Sequence, residues 1–439
     1  MYFLKKFLKK LTPRFILRVY HFALAYLGAL VYGFPSRRMV VIGIVGTRGK
    51  TSAANLIWAC LSSAGYKAGL TGTANIRVGS EERMNPYHMT MPGRFTLQKL
   101  LREMADAGCA FAVVETPSEG VEQFRHKGIA YDAAVMLNMY PEYLEVHGWD
   151  YERCKDMHEV IFRELSGQPV KILNNAPAKK VIVVNNDLEE RERFMRHRAD
   201  VKVTYALDSP ADIRAEGVHL KEGRPAFSAG GAEYHLGIPG EYNIQNALAS
   251  IAVCLAYGLP REAIRKGIAL DRIPGRMEPI RSGQPYEVYV DYAHDAVSLE
   301  AILSSLRKTA PKRLIVVFGG QGGGRDVKKL PIMGEVSGKY ADIVILTTDD
   351  PFDDDPSAIS EKIAPGAEAK GKKRGENLLL IEDRREAIRK ALAVARAGDI
   401  VLIAGKGAEQ SMVTKRGKIP WDDRGVVREE LQRVMKDIQ

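Results

Sequence analysis

The segment Gly43-Ile-Val-Gly46-Thr47-Arg48-Gly49-Lys50-Thr51-Ser52 constrains this chain more than any other. It continues the β-branched run Met39-Val-Val-Ile-Gly-Ile-Val45 and opens a stretch of helical character from Thr51 to Ala64. A strand that breaks into glycine and then enters a helix is built to surround phosphate. Glycine lets backbone N–H groups close around phosphate oxygens, and the helix N-terminus adds its positive end. Lys50 can reach the terminal phosphates, and the Thr51 hydroxyl can hold Mg²⁺. The common GxxxxGK spacing needs glycine at position 44, where this chain has Ile44. The loop is a variant, with Gly46, Thr47, Arg48, Gly49, Lys50, Thr51 and Ser52 expected around a nucleotide.

Similar buried strands are predicted at Phe111 to Glu115, Ala133 to Leu137 and Val181 to Asn185, separated by helical stretches. Such alternation points to an α/β fold, with a mainly parallel sheet covered on both faces. Between about Val201 and Gly237 the pattern shortens and fills with Gly and Pro, which predicts a small β insertion before a helix from Asn243 to Tyr257. After Pro274-Gly275-Arg276 a second series follows at Tyr286 to Asp291, Arg313 to Gly319, Ile343 to Thr347, Asn377 to Ile381 and Ile400 to Ala404. The expected units are a leader (1–38), a central nucleotide-binding domain (39–277) and a second α/β domain (278–439), as the length of 439 residues allows. Asp353-Asp354-Asp355 and Lys370 to Arg374 read as solvated loops.

Hydrophobic residues at 46% and charged residues at 27% allow a buried core and exclude wholesale disorder. The net charge of +10 is concentrated in the leader, which carries eight Lys and Arg and no acid, so the remainder is nearly neutral. That distribution argues against a nucleic-acid partner and for contact with an anionic membrane surface. From Val19 to Phe34 the leader is apolar apart from His21, and this run is shorter than the roughly 20 residues that span a bilayer. No small-x-small cleavage site precedes Arg37, and the strand behind it belongs with cytoplasmic nucleotides. Two readings stay open for the leader: an interfacial helix on the inner face of the membrane, or a helix docked on the protein body. Cys60, Cys109, Cys154 and Cys254 form no CxxC pair and read as free thiols of a reducing compartment.

A GTxGKTS loop at this spacing resembles that of the Mur ligase superfamily, and further motifs agree in order. They are Glu115 at its strand end, Asn138 with Pro141 to Gly148, Gly240-Glu-Tyr-Asn243-Ile-Gln-Asn246, Pro274-Gly275-Arg276-Met277-Glu278 and Asp291-Tyr-Ala-His294. Gly319 to Asp326, Asp349-Asp350-Pro351, Ala404 to Gly407 and Trp421-Asp422-Asp423-Arg424 are similar to the MurE, or tripeptide-synthetase, type. The resemblance runs from about residue 40 to the end. It implies a central P-loop ATPase domain and a Rossmann-like C-terminal domain. It also implies a two-step amide ligation in cell-wall peptide synthesis. An acceptor carboxylate attacks the γ-phosphate of ATP, and an amino acid's amine then displaces phosphate from the acyl phosphate.

Charge builds on phosphoryl oxygens in such a reaction, which calls for cations and fixed donors. The matched positions are Lys50, Arg276, and Mg²⁺ held by Thr51 and Glu115. His147 belongs to the same pattern. Lys155 matches a lysine that the family carbamylates to hold a second Mg²⁺, although it stands closer to His147 than the family has it. Asn243 and Asn246 match nucleotide contacts, Asn246 at the adenine, with Asp291 at the ribose and His294 beside them. Thr90, Gln123 and Arg125 match the acceptor's tail site. Arg325, Asp350, Phe352, Gly405 and Glu409 match the site of the incoming amino acid, where an Arg fork suits a carboxylate.

Three departures carry expectations of their own. Glu142-Tyr143 replaces an Asp-His pair whose His is a metal ligand in the family, and neutral Tyr is a poor Mg²⁺ ligand. Phe352 stands where an Arg marks selection of meso-diaminopimelate, and Ala408 replaces a His, which favours another amino acid such as lysine. The separate domain that binds UDP in the MurE type has no match, so recognition of UDP is not implied. Two other functions compete with a MurE-like ligase: a poly-γ-glutamate synthase-like ligase, and a nucleotide-binding regulatory relative without turnover.

Overall fold

The structure is a computed structural model that describes residues 14–141, 144–221, 223–324 and 327–438. Nine strands make the first sheet: β1 (Val40–Val45), β2 (Ala68–Thr71), β3 (Asn75–Val78), β4 (Glu81–Met84), β5 (Phe111–Glu115), β6 (Ala133–Met136), β7 (Val181–Asn185), β8 (Val201–Ala206) and β9 (Ile213–Arg214). Their order across the sheet is β9-β8-β7-β6-β1-β5-β2-β3-β4, parallel except at β3 and β4. β1 lies between β5 and β6, with Ile44 opposite Glu115 and Val45 opposite Met136. The chain therefore leaves these three strands at one edge of the sheet, side by side, which is where α/β proteins place ligands.

Continuous β-branched and aliphatic runs suit strands buried on both faces. Ile42, Ile44, Val113 and Val135 point to one side, against helices at Lys50–Ser63, Asn243–Ala256 and Arg261–Ile268. Val41, Val45, Val114 and Met136 point to the other, against helices at Arg94–Asp106 and Tyr151–Gly167. The second sheet uses β10 (Glu278–Pro279), β11 (Glu287–Asp291), β12 (Leu314–Phe318), β13 (Ile343–Leu346), β14 (Leu378–Leu380) and β15 (Ile400–Ala404) in the order β10-β11-β15-β12-β13-β14. It is parallel except for β10.

The predicted insertion is smaller than expected. β8 and β9 continue the main sheet, Val201 pairing with Val181, and only residues 216–235 form a separate three-stranded antiparallel sheet. The four-residue strands β3 and β4 are too short for an apolar alternation to reveal them, and β4, at the sheet edge, exposes Glu81, Glu82 and Arg83. Asp354 and Asp355 are not merely solvated. The Asp354 carboxylate accepts from Gly323 N at 2.8 Å, and Asp355 caps the helix Pro356–Glu368. Arg374 pairs at the surface with Glu361 and Glu368.

The leader's described part is α1 (Arg14–Val31), and it docks on the body. Ala25 and Ala29 are buried, and Gly28 lies so close to the Arg94–Phe95 backbone that a Cβ would sit 3.5 Å away. Small residues let the two backbones approach. The opposite side of α1 stays exposed, so docking and a role at a surface are compatible. Among the described residues no helix is long and apolar enough to cross a membrane.

Candidate active site

The loop after β1 is shaped by its glycines and by a neighbour. Gly46 and Gly49 adopt positive φ, at 144° and 80°, where a side chain would be strained. Lys50 curls over the loop, its Nζ donating to Gly46 O at 2.6 Å and Thr47 O at 2.9 Å. Asn138, from the loop after β6, clamps the same turn. Its Oδ1 accepts from Arg48 N at 2.9 Å, its Nδ2 donates to Arg48 O at 3.1 Å, and its carbonyl accepts from Thr47 N at 3.1 Å. The clamp holds the loop's backbone in an open ring.

Beneath the loop lies a buried oxygen cluster. Thr51 Oγ1 donates to Glu115 Oε2 at 3.1 Å, while Thr73 N donates to Glu115 Oε1 at 3.0 Å and the Thr73 hydroxyl sits 2.9 Å from both Glu115 Oε2 and Thr90 Oγ1. Burial raises the Glu115 carboxyl above its usual range, against the pull of Lys50 and Arg276. Arg276 reaches across from the segment between the sheets, donating to Thr51 Oγ1 at 3.1 Å and lying over the Tyr292 ring. A hydroxyl and a carboxylate, oxygen ligands only, fit Mg²⁺.

Gly46 to Ser52, Thr90, Glu115, Arg125, Asn243, Asn246, Arg276, Asp291, His294, Asp350, Phe352 and Glu409 line one cleft of about 610 Å³. Asn246 donates to Asn243 Oδ1 at 3.0 Å and packs against Gly49, where a Cβ would come within 2.1 Å of its Oδ1. Asp291 is occupied by its own chain, accepting from Met277 N at 2.7 Å and Ala293 N at 2.8 Å. It sets the turn that carries Arg276 and His294. Burial pushes the His294 imidazole down to about 4, so it is neutral near pH 7.

Four expected residues stand elsewhere. Lys155 is not in the cleft: its ammonium lies 2.8 Å from Glu190 and 2.9 Å from Glu152. Both carboxylates raise its pKa, whereas carbamylation needs the neutral amine. The same helix turns Cys154 and His158 into the cleft, one residue and three residues away, so the expectation failed on helical phase. Burial and the Lys50 charge hold His158 neutral, down to about 3. His147 lies behind the cleft, bonded to Ser118 Oγ at 2.9 Å, and is a support for that wall. Gln123 also supports rather than lines, its Oε1 accepting from Arg125 at 2.7 Å and its Nε2 donating to Glu119 at 2.9 Å. Gly405 lies behind the cleft and ties the ends of β15 and β11 within the second sheet, its N–H donating to Asp291 O at 3.1 Å. Arg325, Glu142 and Tyr143 lie outside the described residues.

At the far end of the cleft a charged cluster emerges that single motifs did not reveal. Lys406, fully buried, lies 2.8 Å from Asp350 Oδ1 and 2.5 Å from Glu409 Oε2. His88, from the other half of the molecule, lies 3.3 Å from each of the remaining oxygens, Asp350 Oδ2 and Glu409 Oε1. Burial opposes the Asp350 charge, yet His88, Lys406 and the Val413 N–H bring its pKa below the usual range. The ligand atoms of His88, Asp350 and Glu409 lie within 4.8 Å of one another, as a metal site requires. Lys406 already supplies a cation there, and acceptors for a substrate ammonium suit the charge balance better. Phe352 turns at φ 54° beside this cluster and adds an apolar wall. The sequence names Asn138 as part of a motif, without its role as a clamp on the loop. His88 and Thr73 carry no signal there.

Two family models match the chain, "Mur ligase middle domain" over residues 44–254 and "Mur ligase, glutamate ligase domain" over residues 275–407. A "UDP-N-acetylmuramyl-tripeptide synthetase" of Roseiflexus sp. (strain RS-1) is 39% identical over 425 residues, covering 93% of this chain and 82% of the relative. A "UDP-N-acetylmuramoyl-L-alanyl-D-glutamate--2,6-diaminopimelate ligase" of Geobacillus kaustophilus (strain HTA426) is 35% identical, covering 92% and 81%. A solved structure of a ligase of that second name superposes with a TM-score of 0.61 at 28% identity, covering 90% of this chain and 79% of the other.

Two substitutions test this geometry. Asn138→Ala removes two side-chain hydrogen bonds to the loop, and calorimetry with a non-hydrolysable ATP analogue should show binding weakened about ten- to thirtyfold, at roughly 1 kcal/mol each. Unchanged affinity would refute the clamp. Lys155→Ala removes only peripheral ion pairs, so turnover should change by less than about threefold and ignore added bicarbonate. A large loss rescued by a short carboxylic acid would return Lys155 to the site.

Proposed function

This chain belongs to the Mur ligase family and is an ATP-dependent amide ligase of MurE type; we propose that it joins an amino acid to the carboxylate of a cell-wall peptide precursor through an acyl phosphate. The observation that carries this reading is the single cleft in which a phosphate loop, an acceptor wall at Thr90 and Arg125, and the Asp350–Glu409 cluster meet. One reactant needs each region, and the ligation needs all three in contact.

Within it Lys50 and Arg276 hold cations against the phosphates, where charge shifts during transfer. Thr51 and Glu115 would hold Mg²⁺, which supplies further neutralisation of phosphate oxygens when bound. Asn243 and Asn246 frame the nucleotide, with Asp291 fixing the turn at its sugar end and His294 beside it. Arg125, held by Gln123, offers its guanidinium to the acceptor's anionic tail. Asp350 and Glu409 accept from ammonium groups of the incoming amino acid, and Arg325 matches its carboxylate. The second Mg²⁺ site finds no support in Lys155. The same reading puts the enzyme in the cytoplasm at the inner face of the membrane, with no role for nucleic acid.

Lys50→Ala should lower ATP turnover about a hundredfold or more while Tm falls by no more than about 5 °C, because it removes a cation and two loop hydrogen bonds but no core packing. Activity within about threefold of the parent would sink the phosphate-loop role. The apolar wall at Phe352 leaves a distal substrate carboxylate unpartnered, at a cost of about 1 to 3 kcal/mol. Lysine or a neutral amino acid should therefore exceed meso-diaminopimelate in kcat/KM by about five- to 150-fold, and Phe352→Arg should narrow or invert that ratio. A parent enzyme that prefers the diacid would overturn this account of Phe352.

A further inference from the structure

The exposed side of α1 gathers more large exposed hydrophobic side chains than any other element among the described residues. Of the 21 large hydrophobic side chains exposed among the described residues, eight fall between positions 16 and 31: Ile16, Val19, Tyr20, Phe22, Tyr26, Leu27, Leu30 and Val31. At 100° per residue they sweep about half the helix circumference, opposite Ala25, Gly28 and Ala29, which are buried against the body. Arg18 is the one described charge in that stretch, and it lies over the Phe124 ring at 5.6 Å. Lys127 borders Phe22, and Arg37 follows the helix. The leader's other cations, Lys5, Lys6, Lys9 and Lys10 among them, come with no acid through residue 38.

We propose that this face is an in-plane interface for an anionic lipid bilayer, which seats the acceptor end of the cleft beside the membrane. The inference rests on the membrane location given above and names its surface, its lipid and its side. Contiguous exposed apolar area of this kind marks a contact surface. Over its described residues the helix does not combine the length and apolarity needed to cross a bilayer, while aromatic residues and cations around an apolar face suit the headgroup boundary. A second copy of the chain is the poorer occupant, because a two-fold contact through α1 would set two leaders, each with eight cations, against each other. The seat is next to the acceptor wall. Phe22 meets Phe124 edge-on at 6.0 Å between ring centres, and the next residue, Arg125, lines the cleft. Arg94, whose backbone packs on Gly28 of the same helix, donates to the carbonyl of Gln123, which holds Arg125.

Flotation of the full-length protein with vesicles tests the proposal. Binding should be at least about tenfold stronger to phosphatidylcholine vesicles containing 30% phosphatidylglycerol than to phosphatidylcholine alone, and should fall in 0.5 M salt. Val19→Asp/Leu27→Asp/Leu30→Asp alters exposed positions only and should lower binding about tenfold or more, with Tm and basal ATP turnover unchanged. Arg18→Gln/Arg37→Gln keeps the apolar face and should reduce only the preference for anionic vesicles. Equal partition of parent and triple variant would overturn the proposal. So would a parent that ignores vesicles but forms a dimer abolished by the triple variant, which would give the face to a second copy. These readouts do not depend on any acceptor, so failure of the ligase reading would appear separately, as ATP turnover without an amino-acid adduct.

Discussion

Parallel pairing of β1 with β5 and β6 in one register is the constraint from which the site follows. Because Ile44 lies opposite Glu115 and Val45 opposite Met136, the three chains leave the sheet side by side. The phosphate loop, the Glu115 carboxylate and the Asn138 clamp then meet without any long side chain having to reach. A slip of one residue would turn Glu115 to the other face of the sheet. Burial of that carboxylate is tolerable because two threonines and a backbone N–H satisfy its oxygens and two cations stand nearby.

The second sheet completes the cleft through polar contacts rather than through a shared core. Arg276 meets Thr51, Arg48 pairs with Asp295 at 2.6 Å, and His88 lies between Asp350 and Glu409. Contacts of this kind hold two bodies in register and are individually modest, so they allow the halves to adjust around substrates. Within the second body Gly405 ties the end of β15 to that of β11, since its N–H is bonded to the carbonyl of Asp291. Lys406, next in sequence, is thereby brought beneath the carboxylates of Asp350 and Glu409.

Residues 14–31 form one element with two unlike sides. Ala25, Gly28 and Ala29 allow close docking on the helix Arg94–Asp106, and the larger side chains are left outside. The sequence presented anchoring and docking as alternatives, and the structure shows docking on one side while leaving the other side exposed.

What the sequence alone determined was whatever depends on neighbours along the chain. The glycine spacing from 43 to 49, the position of Lys50 and Thr51 at a helix start, and the buried runs of both sheets are local, and each follows from backbone sterics and apolar periodicity. Tertiary structure decided what depends on helical phase or on residues far apart. Lys155 and His158 share one helix, yet only the second faces the cleft. His88 is some 260 residues from Asp350 in the chain and 3.3 Å from it in space. The edge strand β4 forms because β3 offers unpaired backbone groups, and no pattern in Glu81-Glu82-Arg83-Met84 announces that. Burial of a charge, the choice of its partner and the side of a helix that meets solvent are settled only when the chain is packed, because each is a property of the surroundings and not of the residue.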